Sequence, residues 1–440
     1  MNKYTQKKVW ALILAICITI LCVACGPTKP LSSNPPASNG GGSKIDTIHI
    51  LMESVPDTTY VQEAAAKFSE TTGVKVEIEA VNYQTMHEKI VTEMTATTNG
   101  YDIVICDNPW IGEFADAGWV IPLDDYIAKT KFDTSVYLDS VRKLMSYSKK
   151  SDVTYFIPFC TYTYCLLYRT DVFENKEYAT AFNLATGKTF KVPETVDEYV
   201  EIAKFLTNHT KGELYGAAMQ GQRADPITME WTNFLFGCGG QYYDDDDNVV
   251  INSPEAVKAL DSYIECITEA APEGSAGFGF DEALAIFSQG KSAMYIGNYW
   301  MIPVLNKDTD VANLVSLTDA PGGHSNNGGW GWGIPHNAKD KDTSWEFIKY
   351  IESFEVAKER AIKGGSPTRS DVFNDADVLK AWPYYKQALE IISNANQLPR
   401  VPELPQILEI LGRELSEAVS GNKTSQNALD TVAKEMNAIK

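Results

Sequence analysis

The chain has 440 residues, with 38 Lys plus Arg against 58 Asp plus Glu and a formal charge of −20. That charge, with no run of basic residues longer than a pair, excludes a protein that tracks nucleic-acid phosphates. Nine Trp, 22 Tyr and 17 Phe exclude a disordered chain, and the length allows for two or three domain-sized lobes.

The first 24 residues carry Lys3, Lys7 and Lys8, no acid, and then 16 uncharged, largely apolar residues from Val9 to Ala24. A spanning helix needs about 20, so a basic region followed by this shorter run predicts an export signal rather than a membrane anchor. The run ends in Leu21-Cys22-Val23-Ala24-Cys25-Gly26, which resembles a bacterial lipobox, with Cys22 where a Leu usually stands. Cys25 is then the expected lipidated N-terminus. In the next 19 residues, Gly26 to Lys44, 14 are Pro, Gly, Ser or Asn. Such a tract is a flexible tether with a reach of about 25 Å. Beyond the signal 35 basic residues face 58 acidic ones, so an anionic membrane would repel the body and the lipid would have to hold it. Of eight Cys, five lie in the body: Cys106, Cys160, Cys165, Cys238 and Cys266. Among these five no Cys-x-x-Cys occurs, so free thiols are expected rather than a zinc site or a disulfide framework.

From Thr47 the pattern becomes regular. Ile48, Ile50 and Met52 alternate as a strand; Val61, Ala64, Ala65 and Phe68 follow helical spacing, and Gly73 stands where the helix would stop. Val74 to Ala80 alternates again, a helix is expected from about Gln84 to Thr97, and Ile103-Val104-Ile105-Cys106 reads as a strand buried on both faces. This β-α-β-α-β order predicts a parallel sheet with ligands at its carboxyl ends. Those ends are Glu53, Asn82 with Tyr83, and Asp107-Asn108-Pro109-Trp110. Downstream, residues 155–168 read as one long extended segment and 237–251 as a hairpin whose Asp run is a solvated turn. Ser253 and Pro254 open the next helix, and 292–300 and 328–334 read as strands.

Several ordered segments resemble the extracellular solute-binding proteins of ATP-driven importers, in particular the maltose-binding-like carbohydrate family. They are Phe68-Ser69-Glu70-Thr71-Thr72-Gly73-Val74, Tyr101-Asp102-Ile103-Val104, Ala117-Gly118-Trp119-Val120-Ile121-Pro122-Leu123 and Leu166-Leu167-Tyr168-Arg169-Thr170-Asp171. Farther on stand Phe287-Ser288-Gln289-Gly290-Lys291-Ser292-Ala293-Met294, Gly328-Gly329-Trp330-Gly331-Trp332-Gly333-Ile334-Pro335, Trp345-Glu346-Phe347-Ile348, Gly365-Ser366-Pro367-Thr368-Arg369 and Pro405-Gln406. The resemblance implies a two-lobed α/β fold of the type II periplasmic-binding kind, with parallel-sheet lobes joined by crossing hinge segments. It implies lobe 1 at 45–157 plus 333–363 and lobe 2 at 158–332 plus 364–440, with crossings near 156–162, 328–332 and 364–369. It further implies a monomer, lipid-anchored outside a bacterial cell, that delivers solute to a membrane permease and needs no cofactor.

A sugar presents flat C–H faces and in-plane hydroxyls, so its site needs aromatic rings beside carboxylates, amides or a guanidinium. Glu53, Asn82, Asp107, Trp110, Tyr162, Tyr164, Trp231, Asn298, Trp300, Trp330, Trp332 and Arg369 meet that description, with Glu230 and Tyr299 beside them. Trp300 is the first choice among the rings, because the resemblance puts a stacking ring there. Trp119 and Trp345 are expected in the core. Where maltose-type proteins carry an aromatic platform after Pro405-Gln406, this chain has Ile410 and Leu411, which favours a short saccharide or polyol over a long dextrin. The alternatives are a binding protein for a metal ion or anionic solute, through Tyr162, Tyr164, Tyr242 and Tyr243, and a glycoside-acting enzyme using Glu53 and Asp107. The five His are scattered and no catalytic motif occurs, so no enzyme is expected.

Overall fold

The computed structural model describes residues 46–96, 100–147, 153–307 and 309–440. The expected signal, Cys25 and the tether lie outside the described residues.

The first strands and helices follow the hydrophobic pattern. Strand β1 is Thr47–Glu53, β2 Lys75–Val81 and β3 Ile103–Asp107, while helices α1 (Pro56–Thr72), α2 (Tyr83–Thr95) and α3 (Asn108–Asp116) lie between and after them. Val61, Ala64, Ala65 and Phe68 are the buried face of α1, and Gly73 ends it at φ 77°, a conformation that glycine adopts without strain. β1 pairs in parallel with both β2 and β3, as the alternating pattern predicts. All five residues of β3 are buried.

The segment expected as one extended run is two strands. β4 (Ile157–Thr161) joins the first sheet and β5 (Tyr164–Arg169) the second, so the chain changes sheets at Tyr162 and Thr163. The second sheet also takes β6 (Tyr215–Ala218), β7 (Ser292–Asn298) and β8 (Val315–Thr318). β9 (Gly329–Gly333) then returns to the first sheet, whose order is β2-β1-β3-β9-β4. β9 is antiparallel to β3 and to β4. The second sheet runs β8-β5-β7-β6, with only β6 and β7 parallel, so both sheets are mixed rather than purely parallel. The expected hairpin at 237–251 is short: helix α4 (Asp225–Gly237) takes its first residue, and the Tyr243–Val249 bridge is flanked by hydrogen bonds from the Val250 N–H to the Tyr242 carbonyl at 3.1 Å and from the Asp244 N–H to the Asn248 carbonyl at 3.0 Å. Asp244 accepts from the backbone N–H groups of Asp246 and Asn248 at 3.0 and 2.8 Å, closing the solvated turn.

One core packs around the first sheet, where Trp332, Trp345 and Phe347 join Ile48, Ile50 and Val104. A second fills the other lobe beneath α4, α5 (Pro254–Glu269), α8 (Leu404–Val419) and α9 (Ser425–Ile439). Ile410 and Leu411 are buried there. Between α5 and α8 come α6 (Lys341–Ile351) and α7 (Phe354–Ile362). Cys160 and Cys165 fall in different sheets, and the five body cysteines are free thiols. Among the described residues no helix is long and apolar enough to cross a membrane.

The crossings are knit by buried hydrogen bonds. The Tyr299 hydroxyl meets the Thr161 and Ser366 hydroxyls, and Ser366 Oγ donates to the Thr161 carbonyl at 2.6 Å. Arg360 donates to the Phe159 carbonyl at 2.7 Å and to Glu352 Oε1 at 3.1 Å.

Candidate functional site

The carboxyl ends of β1 and β3, the start of β5 and the ends of β6 and β7 bring the polar groups together. Asp107 closes β3 and caps α3, accepting from the Asn108 N–H at 2.9 Å. It is buried, and the Tyr162 hydroxyl approaches its Oδ1 at 2.8 Å while the Tyr83 hydroxyl approaches Oδ2 at 3.2 Å. Tyr162 also lies 2.7 Å from Asn108 Oδ1, which accepts from the Gly329 N–H at 3.0 Å. Tyr162 thereby ties β3, α3 and β9 to the first residue after β4. Gly328 leaves the space that the Tyr162 ring occupies.

Glu53, at the end of β1, has no side-chain partner among the described residues, and burial pushes its carboxyl up to about 7. Burial also raises Asp107 well above the usual carboxylate range, with the charges of Glu53 and Asp225 adding to it. Asp225 opens α4 from the other lobe. It lines the same cavity as Tyr83, and burial raises its carboxyl, with Tyr83 and His87 drawing it back. Glu230, one turn further along α4, accepts from the Gln220 N–H at 2.7 Å and from Tyr263 at 3.3 Å. Burial lifts it to about 8. Tyr164, which faces Asn298 across the β5–β7 pairing, lies in the fields of Glu230, Asp225 and Asp107, and burial raises its own phenol.

Aromatic rings form the floor. Trp110 stacks on Tyr83 at 5.4 Å and 24°, and Trp330 meets both edge-on at 5.5 and 5.9 Å. A cavity of about 180 Å³, lined by Tyr83, His87, Trp110, Asp225 and Leu408 among others, opens between α2 and α3 on one side and α4 and α8 on the other. The two lobes touch around it: a Cβ on Gly112 of α3 would come within 2.7 Å of the Val401 carbonyl, just before α8. Several fully buried polar atoms have no partner among the described residues: Glu230 Oε1 and Trp231 Nε1 in α4, Asn298 Oδ1 at the end of β7, and Asn326 Oδ1 and Asn327 Nδ2.

Glu53, Asp107, Trp110, Tyr162, Tyr164, Asn298 and Trp330 therefore fall at the same end of the sheets. Others of the expected residues have different employment. Asn82 is exposed and its Oδ1 caps α2, accepting from the Thr85 N–H at 3.1 Å. Trp332 is buried in the first core against Phe159 and donates to Glu352 at 2.7 Å, so its indole is already satisfied. Arg369 is held by Asp371 at 2.7 Å and by the Glu352 carbonyl at 2.9 Å, a structural clamp on the crossing. Trp300 is half-buried and stacks on Phe280 at 5.8 Å, while the Trp231 ring is fully buried and only its Nε1, without a partner among the described residues, is free to meet a guest. Sequence reasoning missed Asp225 as a site residue and passed over Tyr83. The usable signal was an acid one or two residues before the Pro that opens a helix, seen both in Asp107-Asn108-Pro109 and in Asp225-Pro226. Among the described residues no group of three or more His, Cys, Asp or Glu is arranged to hold a metal ion.

Two α/β lobes that clasp a polar, aromatic-floored cleft define a ligand-clasping binding protein. The chain matches the model of the bacterial extracellular solute-binding proteins over residues 53–358 and belongs to that family. A protein from Agrobacterium radiobacter solved in complex with ribitol superposes with a TM-score of 0.79 at 27% identity, covering 90% of this chain and 98% of that one. A mannitol-binding protein of Pseudomonas aeruginosa is 23% identical over 386 residues, 80% of this chain and 84% of its own length. A Sinorhizobium fredii protein bearing the name "Probable amino-acid ABC transporter periplasmic-binding protein" is 24% identical over 380 residues, 82% of this chain and 81% of that protein.

Proposed function

We propose that the protein is the substrate-binding lipoprotein of an ATP-binding-cassette importer, capturing a short saccharide or polyol between its lobes and handing it to a membrane permease. The observation that carries this is the cavity between the lobes, where the Trp110 and Tyr83 rings stand with the Asp225 carboxyl, together with fully buried polar atoms that have no partner among the described residues, Trp231 Nε1, Asn298 Oδ1 and Glu230 Oε1. A buried polar atom without a partner costs about 1–3 kcal/mol, and hydroxyls on an apolar carbon frame are the guests that relieve such atoms while stacking on rings. A cavity of about 180 Å³ suits a guest displacing about six waters, not a dextrin. The ribitol and mannitol named for two relatives point the same way.

On this reading the lobes sample open and closed arrangements, and a guest touching both stabilises the closed one by its differential affinity. Lobe 1 comprises 45–157 plus 333–363 and lobe 2 the remainder, with β4 and β9 contributed to the first sheet from the crossings. The protein acts as a monomer and carries out no catalysis. Its first 24 residues are removed on export, and Cys25 takes the lipid that anchors it outside the cell. Thermal-shift screening against monosaccharides, disaccharides, polyols, amino acids and ferric ion tests the reading, since a bound guest raises the midpoint by mass action. A shift with amino acids or ferric ion, and none with any hydroxylated compound, would overturn it.

A further inference from the structure

Strand β4 carries an extra residue. Its ladder with β9 pairs Ile157 with Trp332, Pro158 with Gly331, Cys160 with Trp330 and Thr161 with Gly329, so Phe159 has no residue opposite it and forms a bulge. Pro158 lacks an N–H to give to a ladder, which suits that irregularity. Residues opposite one another share a face, so Cys160 points the same way as Trp330, and alternation along the strand puts Tyr162 with them. The Tyr162 N–H carries the pairing on to the Gly328 carbonyl at 3.0 Å. Without the extra residue the register beyond Pro158 would slip by one, and Tyr162 would turn to the other face, away from Asp107 and Asn108.

One side chain grips Phe159 at both ends. The Arg360 guanidinium lies 4.6 Å from the centre of its ring and donates from Nη2 to its carbonyl at 2.7 Å. Arg360 comes from α7 and is set in turn by Glu352, whose Oε1 accepts from Arg360 Nη1 at 3.1 Å and from Trp332 Nε1 at 2.7 Å. Glu352 therefore ties the guanidinium to β9, while the guanidinium ties down the odd residue of β4. Both charged groups are buried, and Glu352 Oε2 and Arg360 Nε have no hydrogen-bond partner among the described residues. A buried ion pair so incompletely satisfied adds little stability over uncharged side chains of similar volume. We propose that Arg360 is a positioning residue for the guest: by holding the Phe159 bulge it fixes the face on which β4 presents Tyr162, and with it the Tyr162 contacts to Asp107 and Asn108. This rests on the reading that places Tyr162 at a saccharide or polyol site.

The test is the double variant Arg360→Met with Glu352→Gln, which removes both charges and leaves an amide oxygen for the Trp332 indole to meet. Crystal structures, urea unfolding, and titration calorimetry with ribitol and with D-mannitol compare it with the wild-type protein. The expected result is a urea midpoint close to that of the wild type, a displaced Phe159, a Tyr162 hydroxyl beyond hydrogen-bonding distance of Asp107, and polyol binding at least tenfold weaker. If the double variant fails to fold, Arg360→Lys keeps the charge beside Glu352 and gives up the planar fork, and the same displacement and the same loss of affinity are expected of it. A bulge and a Tyr162 that stay in place overturn the positioning role, whatever happens to stability. A displaced Tyr162 with undiminished polyol affinity overturns it as well. A displaced Tyr162, with neither polyol binding the wild-type protein, upholds the hold of Arg360 on Tyr162 and counts against the polyol reading instead.

Discussion

Replacing Gly328 with Ala isolates the contact on which Tyr162 depends. Gly328 does not adopt a positive φ, so its backbone accepts alanine, and the consequence of the change is spatial. The added methyl would fall inside the Tyr162 ring, nearest Cε2, Cζ and the hydroxyl. A carbon needs about 3.5 Å from its neighbours, so the ring must retreat by on the order of 1 Å. That displacement breaks the 2.8 and 2.7 Å contacts of the hydroxyl with Asp107 and Asn108. A hydrogen bond to a charged or charge-sharing group contributes about 2 kcal/mol and overpacking a tight site about 1–3 kcal/mol, so Gly328→Ala should destabilise by about 3–5 kcal/mol. Tyr162→Phe should lose only the first part, about 2 kcal/mol. Urea denaturation followed by circular dichroism gives both values, and a double-mutant cycle with Tyr162→Ala gives the coupling. With the ring absent, the methyl should be nearly neutral. An alanine at 328 that destabilises equally with and without the Tyr162 ring would refute the reasoning.

Other outcomes follow from the same geometry. Ala224, just before α4, sits at φ 91° and ψ −142°, a region tolerated by glycine and strained for other residues. Ala224→Gly should therefore stabilise by about 1 kcal/mol or raise the melting midpoint by a few degrees, whereas a glycine in an ordinary loop destabilises. Glu53 and Glu230 hold their protons up to about 7 and about 8 in the folded protein, against 4.5 when unfolded. The folded state therefore binds more protons than the unfolded one across that interval, and the stabilisation from these groups, complete below about pH 4.5, is lost as pH rises through 7 to 8. Melting curves of the ligand-free protein should fall over that range, and Glu230→Gln should flatten the fall. Trp110→Ala should weaken guest binding at least tenfold with the circular dichroism spectrum unchanged, since it removes the ring against which Tyr83 stacks. Small-angle scattering should show a smaller radius of gyration with saturating guest; equal radii would argue against lobe closure.

The first half-lobe was legible because its signals are local. The alternation of Ile48, Ile50 and Met52, the helical spacing from Val61 to Phe68 and the glycine at 73 each act within a turn or a strand, and the parallel pairing follows from the order of elements. What was not legible depends on partners far along the chain. Nothing in 155–168 marks Tyr162 and Thr163 as the point of crossing, because both halves of the segment have the same strand propensity and only their pairing partners differ. Trp330 and Trp332 look alike in sequence, yet one meets Trp110 and the other is claimed by Glu352, 20 positions further on. Asn82 and Tyr83 are neighbours with exchanged duties: the amide was used up by its own helix, which left the phenol to reach Asp107.

The position of β9 has a consequence for how the molecule comes into being. It is the strand between β3 and β4, yet its contact with Asn108 spans 221 positions. While a ribosome is still making the middle of the chain, β3 presents a bare edge with no neighbour to cover it, and the hinge side of the sheet remains unfinished. Nascent chains that stop short of Gly329 should therefore be sticky and protease-sensitive, and final assembly should lag behind synthesis.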